Sequence, residues 1–308
     1  MAGATRKVGF FHNRSKASFQ VHFAAFVGRM YEFVEQEDVI IVEQWAGDDA
    51  TGKSLQQQVT DLINQDGVVV VVAAGGPQSA LAVKSARDAL KSPIPIVFTP
   101  VTDPVGLGLV DDLDGPTTNS TGIAGMTSEL DVKRLQLLGE LGLRAGATIG
   151  CLNNKARPNQ QLQEIKNEAT KLNFTLQWMD VGNLPEIESE FASKSNCDAF
   201  LIMADSLFND LRKDVVGFSK GVPAIYQWRE FAEAGGLMSF GPNIIEAYEK
   251  VGAYVGHILR GASPADLPVS FPDRFELVIN LRTAQRLSNK IKIPASLLSR
   301  AEIVRSRL

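Results

Sequence analysis

Short apolar runs alternate with longer amphipathic segments along most of the chain. The apolar runs predict β-strands at Lys7–His12, Val39–Trp45, Val68–Ala73, Ile94–Phe98, Thr148–Leu152, Leu176–Met179, Ala199–Met203, Ala224–Tyr226, Leu237–Phe240 and Phe275–Asn280. Apolar residues at helical spacing between them predict helices at Leu55–Asn64, Gln78–Leu90, Asp131–Leu143, Asn159–Leu172, Leu207–Ser219 and Ile244–Leu259. Strands that alternate with such helices are typical of parallel sheets built from βαβ units.

Two stretches of similar pattern favour two similar halves over one large sheet. Residues 67–98 run from an apolar strand through a loop and a helix to a strand that follows a proline. Residues 198–226 repeat that order at nearly the same length. The repeat predicts an α/β protein with two doubly wound parallel-sheet lobes. The turn-rich segment Asp114–Ser120 predicts a boundary between the lobes near 115–125.

Composition and charge exclude several classes of protein. Of the 308 residues, 44% are hydrophobic and 21% are charged, as in globular proteins. The formal net charge of −4 argues against a nucleic-acid partner, because phosphate backbones favour basic surfaces. No apolar run is long enough to predict a transmembrane helix. No leader pattern is visible, so the chain is either cytoplasmic or has lost a leader.

The cysteines and histidines give no sign of a cofactor. Cys151 and Cys197 are expected to be buried thiols, and the predicted strands place them at opposite ends of neighbouring strands, too far apart for a disulfide. The three histidines show no metal-ligand spacing. We therefore expect neither a metal nor another cofactor.

The predicted sheets indicate where a ligand would bind. In open α/β sheets, ligands bind beyond the carboxyl ends of the strands. That rule selects the loops at residues 12–15, 74–79, 99–103, 153–159, 205–209 and 227–230 as the lining of a ligand cleft between the lobes. The candidate ligand-binding residues in and beside these loops are His12, Asn13, Gly75, Gly76, Gln78, Ser79, Thr102, Asp103, Asn153, Asn154, Asp205, Ser206, Tyr226 and Trp228.

A few of these candidates have a specific chemistry. Gly75–Ser79 predicts an anion-binding turn, because glycines let a ligand approach and the first helical N–H groups favour a carboxylate or phosphate. A plain turn is the alternative. Asp205 fits a helix N-cap, a partner for a ligand amine, or both. Asp103 fits a turn residue better than a ligand contact. Tyr226 or Trp228 would cover the apolar part of a ligand.

Residues 47–54 match the phosphate-binding pattern G-x-x-x-x-G-K-[ST] between a strand and a helix. Asp48 and Asp49 place two negative charges in the loop, and the preceding strand carries polar Glu43 and Gln44. No neighbouring strand ends in an aspartate that would hold Mg²⁺. We interpret the match as chance.

No catalytic pattern is present in the sequence. Neither G-x-S-x-G nor H-E-x-x-H occurs, and only His12 among the histidines lies on a predicted ligand loop. A binding protein is therefore expected, and not an enzyme. A ligand-sensing domain and an α/β enzyme with an unrecognised site remain alternatives. A sensing domain of the sugar-repressor type would carry an amino-terminal helix-turn-helix, whereas the first strand here begins near residue 7.

Several segments match one known family in chain order. They are residues 74–76, 80–82, 94–98, 103–110, 133–141, 229–243 and 275–281. In these segments the chain resembles the substrate-binding proteins of ABC transporters, in a group whose studied relatives bind aromatic amino acids. The strongest match is REFAEAGGLMSFGPN at Arg229–Asn243. Residues 12–15, 31–36 and 153–159 depart from the relatives.

The resemblance implies a fold similar to type I periplasmic binding proteins, with discontinuous lobes at 1–120 plus 241–268 and 121–240 plus 269–308. It implies an extracytoplasmic or periplasmic solute-binding component of an ABC importer, which delivers its ligand to a membrane permease. The expected ligand is a small polar or amino-acid-like molecule, aromatic ones included, captured by hinge closure. We expect the binding protein to be a monomer.

Overall fold

The computed structural model describes residues 5–125, 128–156, 162–194 and 196–306. The chain forms two compact units, Met1–Gly125 with Ile244–Pro272 and Met126–Asn243 with Asp273–Leu308. Each unit thus combines a long stretch of chain with a shorter one that follows later in the sequence.

Strands and helices alternate along both units. The strands are β1 (Arg6–His12), β2 (Val39–Trp45), β3 (Val68–Ala74), β4 (Ile96–Val101), β5 (Ser120–Ala124), β6 (Thr148–Asn154), β7 (Thr175–Val181), β8 (Ala199–Ile202), β9 (Ala224–Tyr226), β10 (Met238–Pro242), β11 (Phe275–Asn280) and β12 (Glu302–Val304). The α-helices are α1 (Lys16–Met30), α2 (Leu55–Ile63), α3 (Pro77–Ala89), α4 (Ser128–Gly139), α5 (Leu162–Lys171), α6 (Leu184–Ser193), α7 (Ser206–Asp210), α8 (Arg212–Phe218), α9 (Arg229–Glu233), α10 (Ile244–Leu259), α11 (Leu281–Arg286) and α12 (Ala295–Leu298).

The first unit holds a five-stranded parallel sheet in the order β2-β1-β3-β4-β5. Successive strand residues point to opposite faces, so Phe10 and Phe11 serve two cores. Phe11 belongs to the apolar cluster that α2 and α3 cover. The Phe10 ring contacts Phe23 and Phe26 of α1, which packs against α10. Both faces are therefore covered by helices, and the strands are almost continuously apolar for that reason.

The second unit holds a seven-stranded sheet in the order β12-β11-β10-β9-β8-β6-β7. Its neighbouring strands are parallel except for β10 and β11, which are antiparallel. A buried ion pair between Asp131 and Arg134 lies within α4. Arg134 also donates from Nε to the Phe240 carbonyl at 2.6 Å and so ties α4 to β10. A buried guanidinium is tolerated because both kinds of partner satisfy it.

The two sheets of mainly parallel strands with helices confirm the predicted α/β class. The strand β5 was not among the predicted strands, although it lies within the range near 115–125 given for the boundary between the lobes. Ser120–Ala124 is fully buried and pairs with β4, so tertiary pairing overrides its local turn character. The predicted helix at Leu207–Ser219 is interrupted at Leu211, giving α7 and α8. Residues 157–161, which include the start of another predicted helix, lie outside the described residues.

Both cysteines are free and buried. Cys151 lies in the middle of β6 and not near its carboxyl end as predicted, because β6 continues to Asn154. Burial raises the pKa of both thiols above the ordinary value. Across the described ranges, no group of three His, Cys, Asp or Glu side chains is placed to hold a metal ion.

The described helices include none that combines the length and the apolar character needed to cross a membrane.

The G-x-x-x-x-G-K-S run connects the edge strand β2 to α2, and it forms an ordinary helix start. Ser54 is the N-cap of α2, and its side chain and that of Gln57 form a capping box. Lys53 is exposed and pairs with Asp61, with 2.7 Å between Nζ and Oδ2. The serine and the lysine are thus both engaged in local contacts of α2.

Candidate functional site

Two loops of the first unit, those after β1 and β3, meet at the carboxyl ends of these strands beside β4. The backbone N–H of Asn13 donates to Ser79 Oγ at 3.2 Å, and its side-chain amide donates to Gln78 Oε1 at 3.3 Å. The N–H of Gly75 donates to Thr99 Oγ1 at 3.1 Å. These bonds hold the loop after β1 against the loop between β3 and α3.

The contact between these loops requires a glycine at residue 75. Gly75 has φ +96°, a region that side chains rarely adopt. A Cβ at this position would overlap Asn13 Oδ1 and lie 3.0 Å from His12 Cε1. Gly76 follows with φ +87° as the N-cap residue of α3, and Pro77 occupies the first turn. The two glycines therefore bring the start of α3 against the end of β1.

His12 presents a buried hydrogen-bond donor at this edge. Its ring is fully buried and contacts Phe19 and Trp45, with centroids 4.1 and 5.2 Å away. Its Nδ1 accepts from the Arg14 N–H at 3.0 Å, which assigns the proton of the neutral ring to Nε2. Nε2 is buried and has no hydrogen-bond partner in the described part of the chain. Burial, followed by the charges of Arg14 and His22, lowers the pKa of His12 well below its ordinary value.

Asn13 adds an acceptor next to that donor. Its Oδ1 is buried and, like His12 Nε2, has no partner among the described residues. A buried polar atom without a partner costs about 1–3 kcal/mol, so such atoms call for an explanation. Ser79 is also fully buried and lies in the first turn of α3, where N–H groups lack helical partners. Donors and an acceptor at one sheet edge suit a small polar ligand.

Thr102 and Asp103 lie in the loop after β4. Asp103 is exposed, has φ +52°, and accepts from the Gly106 N–H at 2.9 Å through Oδ1. This is the geometry of a turn residue. Thr102 is half-buried.

In the second unit, the loops after β8 and β9 are joined by a reciprocal pair of bonds. The N–H of Asp205 donates to Gln227 Oε1, and Gln227 Nε2 donates to the Asp205 carbonyl, both at 2.8 Å. Asp205 Oδ1 accepts from the Leu207 N–H at 2.7 Å, so Asp205 is the N-cap of α7, and Ser206 begins that helix. The N-cap interpretation is therefore observed, and it uses only one carboxylate oxygen.

Asn209 is a candidate that the sequence alone did not single out. Its side chain is fully buried, and neither Oδ1 nor Nδ2 has a partner in the described ranges. A buried amide offers two donor hydrogens and an acceptor, so leaving both atoms unsatisfied is costly. The available signal was its place four residues after Asp205, one helical turn along α7.

Asn153 and Asn154 end β6 and are largely engaged in local bonds. Asn153 Nδ2 donates to Asp180 Oδ1 at 2.8 Å, while its buried Oδ1 has no partner in the described ranges. Asn154 Oδ1 accepts from the Ala156 N–H at 2.9 Å. Arg157, Pro158 and Asn159 of the same loop lie outside the described residues.

The two predicted aromatic covers differ in their surroundings. Tyr226 is buried, stacks on Phe231, and its hydroxyl lies 2.5 Å from Ser219 Oγ, a residue that precedes β9. The ring therefore points away from the carboxyl end of its strand, and we correct its assignment from ligand cover to core. Burial raises the pKa of Tyr226, so the hydroxyl stays protonated. Trp228 is half-buried at the start of α9 and packs beside the apolar cluster of this unit.

The structure thus groups the candidates into two sets. His12, Asn13, Gly75, Gly76, Gln78 and Ser79 share one edge of the first sheet. Asp205, Ser206, Asn209 and Gln227 share one edge of the second sheet, with Asn153 on a neighbouring strand of that sheet.

Comparison with known proteins gives a family match. A family model described as ABC transporter substrate binding protein matches residues 34–305. A tyrosine-binding protein of Clostridioides difficile (strain R20291) is 28% identical over 240 residues, which is 75% of this chain and 66% of that protein's length. The chain thus spans slightly less than two thirds of that relative.

Solved structures match over nearly the full length. A domain of Streptococcus pneumoniae in complex with L-Trp is 26% identical, with a TM-score of 0.82 over 98% of this chain and 100% of that one. A conserved domain protein of Vibrio cholerae is 23% identical, with a TM-score of 0.82 over 97% and 99% of the two chains. A leucine-binding protein of Thermotoga maritima is 10% identical, with a TM-score of 0.56 over 82% and 81%, and shows the shared fold alone. These matches confirm the predicted likeness to type I periplasmic binding proteins.

Proposed function

Because the chain belongs to the family of ABC transporter substrate-binding proteins, we propose that it is the extracytoplasmic solute-binding component of an ABC importer. In this proposal it captures a small amino-acid-like ligand by hinge closure and delivers it to a membrane permease as a monomer. Closure would exclude water from the ligand, and no chemical step is required. The domain limits inferred from the sequence form part of the same proposal.

The observation that carries the proposal is the set of buried, unpartnered polar atoms in the strand-end loops of both units. Among the described residues they include His12 Nε2 and Asn13 Oδ1 in the first unit, and Asn153 Oδ1 with Oδ1 and Nδ2 of Asn209 in the second. A ligand that pairs with these atoms would remove their desolvation penalty. Polar atoms held ready in this way are what a selective site for a small polar molecule needs.

The ligand we propose is a zwitterionic amino acid, aromatic ones included. Its carboxylate would bind the first turn of α3, where Ser79 supplies a hydroxyl and the helix dipole favours an anion. Its ammonium group would bind Asp205, whose second carboxylate oxygen is not needed for the N-cap. The half-buried Trp228 would cover an apolar side chain. The tyrosine-binding relative and the L-Trp complex support this class of ligand.

The test is native mass spectrometry of the protein purified without refolding, followed by thermal shifts with the common amino acids and with aromatic acids that lack the amino group. At least one amino acid is expected to raise Tm by several degrees, because binding to the folded state alone stabilises it by mass action. The corresponding deaminated acid is expected to have a much smaller effect. If no amino acid raises Tm and no small molecule co-purifies, the proposed function is wrong.

A further inference from the structure

A cavity of about 260 Å³ lies in the second unit, at the opposite edge of the sheet from the strand-end loops. Val222 stands just before β9, and Gly235, Gly236 and Leu237 stand just before β10, so the cavity borders the amino-terminal ends of both strands. The ligand proposed above would bind at the carboxyl ends. The two sites therefore share no lining residue.

The antiparallel pairing of β10 and β11 explains why this edge carries functional groups. In a purely parallel sheet, the chain would leave every strand at the edge that carries the strand-end loops. Here β11 runs the opposite way, with Ile279 paired to Met238 at the start of β10. The helix α11 that follows β11 therefore arrives beside the amino-terminal ends, and it brings Arg286 and Leu287 to the cavity.

Apolar side chains form part of the cavity wall, and the hydroxyl groups of Ser219, Tyr226 and Thr283 are already bonded. Leu237 and Leu287 are buried, and Val222 is half-buried. The Tyr226 hydroxyl lies 2.5 Å from Ser219 Oγ, which itself donates to the Val216 carbonyl at 3.1 Å. A ligand in this cavity would thus meet apolar surface and satisfied hydroxyls, which favours a compact apolar body.

The rim is cationic. Lys220, Arg286 and Lys290 all line the cavity and are exposed, and Lys290 Nζ also donates to the Gly221 carbonyl at 2.7 Å. Within the described part of the chain, no acidic residue lines the cavity. Three cations without a lining acid create a local positive field in a protein whose net charge is −4.

We propose that this cavity is a second binding site, which takes a small organic carboxylate with a compact aromatic or branched body. The apolar body fills the space between Val222, Leu237 and Leu287. The carboxylate faces Arg286 and Lys220 at the rim, and both cations can donate charge-assisted hydrogen bonds to it. The volume lies just below the usual range of about 300–1,000 Å³ for small-molecule sites, so the occupant is a molecule of one ring or one short branched chain.

The test uses benzoate as the probe and neutral benzamide as its isostere, in NMR titrations of the full chain. Wild-type protein is expected to bind benzoate more tightly than benzamide, and to lose that preference at high salt. The double variant Lys220→Gln/Arg286→Gln is expected to weaken benzoate binding by about fivefold to tenfold, a size typical of losing two solvent-exposed ion pairs. Both replaced side chains are exposed, so the fold should persist, and thermal melts check this.

The matched control is Lys213→Gln/Arg282→Gln, which removes the same charge from α8 and α11 at positions outside the cavity lining. It should leave benzoate binding unchanged. A crystal soaked with benzoate should show the ring between Val222 and Leu287. Equal weakening in both double variants, or benzoate found only at the strand-end loops, would overturn the proposal.

Discussion

The two sheet edges whose buried polar atoms have no partner among the described residues are built by different physical means. In the first unit, a glycine with positive φ brings one loop against another, and the adjacent His12 and Asn13 carry buried polar atoms without a partner in the described ranges. In the second unit, a capped short helix carries a buried asparagine one turn beyond its cap. The first arrangement depends on backbone conformation and the second on side-chain burial. Substitution of Gly75 in the first unit should therefore lower the stability of the fold as well as ligand affinity. Substitution of Asn209 in the second unit should lower ligand affinity alone.

The largest effect is expected for Gly75→Ala. The new Cβ would overlap Asn13 Oδ1 at a backbone φ of +96°, so unfolding free energy should fall by about 2–4 kcal/mol and ligand binding should be lost. Gly52→Ala is the control, because Gly52 has φ +75° but no atom within 4 Å of the added Cβ. It should cost only about 1 kcal/mol of backbone strain. Urea denaturation measures the stability of the two variants, and titration with the cognate ligand measures their affinity. Equal losses in the two variants would show that the overlap with Asn13 is not the cause.

A large loss of affinity without loss of stability is expected for Asn209→Leu. The substitution keeps the branching and the number of side-chain heavy atoms, and it removes two buried polar atoms that lack described partners. That gain offsets the cost of the larger side chain, so the unfolding free energy should stay within about 1 kcal/mol of wild type. Ligand affinity should fall by about 30-fold or more, the cost of a lost buried hydrogen bond at a binding site. Calorimetry of binding and chemical denaturation test this together. A destabilised protein that binds normally would show that Asn209 is structural.

His12 should make the stability of the protein depend on pH. Burial lowers the pKa of His12 in the folded state, so below about pH 6.5 the unfolded chain binds a proton that the folded chain does not. The unfolding free energy should fall by up to about 1.4 kcal/mol per pH unit between pH 6.5 and 5, and this contribution should be flat above pH 7.5. In the variant His12→Phe, which keeps Arg14 and His22, the change of unfolding free energy with pH should decrease by the contribution of one proton. An identical slope in the variant would contradict the assignment.

The smallest effect is expected for Asp205→Asn. Asparagine is as good an N-cap as aspartate, so the start of α7 and the unfolding free energy should not change. Affinity for a zwitterionic ligand should fall by about tenfold, because the charge facing the ammonium group is removed. Affinity for the deaminated analogue should not fall. If both ligands weaken alike, Asp205 acts only as a cap.

Much of this arrangement was accessible from local pattern. Val68–Ala73 and Phe275–Asn280 are apolar enough to predict strands, and Gly75–Gly76 before Pro77 predicted a tight turn into a helix. The N-cap at Asp205 followed from residue type and position. In contrast, β5 was not predicted, because Ser120 and Gly122 interrupt its apolar pattern, and pairing with β4 makes the segment a strand.

The sequence by itself determined the α/β class, most strands and the loops at their carboxyl ends, because these depend on hydrophobic periodicity and turn chemistry over short distances. Only the tertiary structure decided which polar atoms in those loops are buried and unpartnered, as at Asn209, and that Tyr226 belongs to the core. It also decided that β11 runs antiparallel and brings cations to the opposite edge. Burial and strand direction arise from contacts between residues far apart in the chain, and local pattern does not encode them.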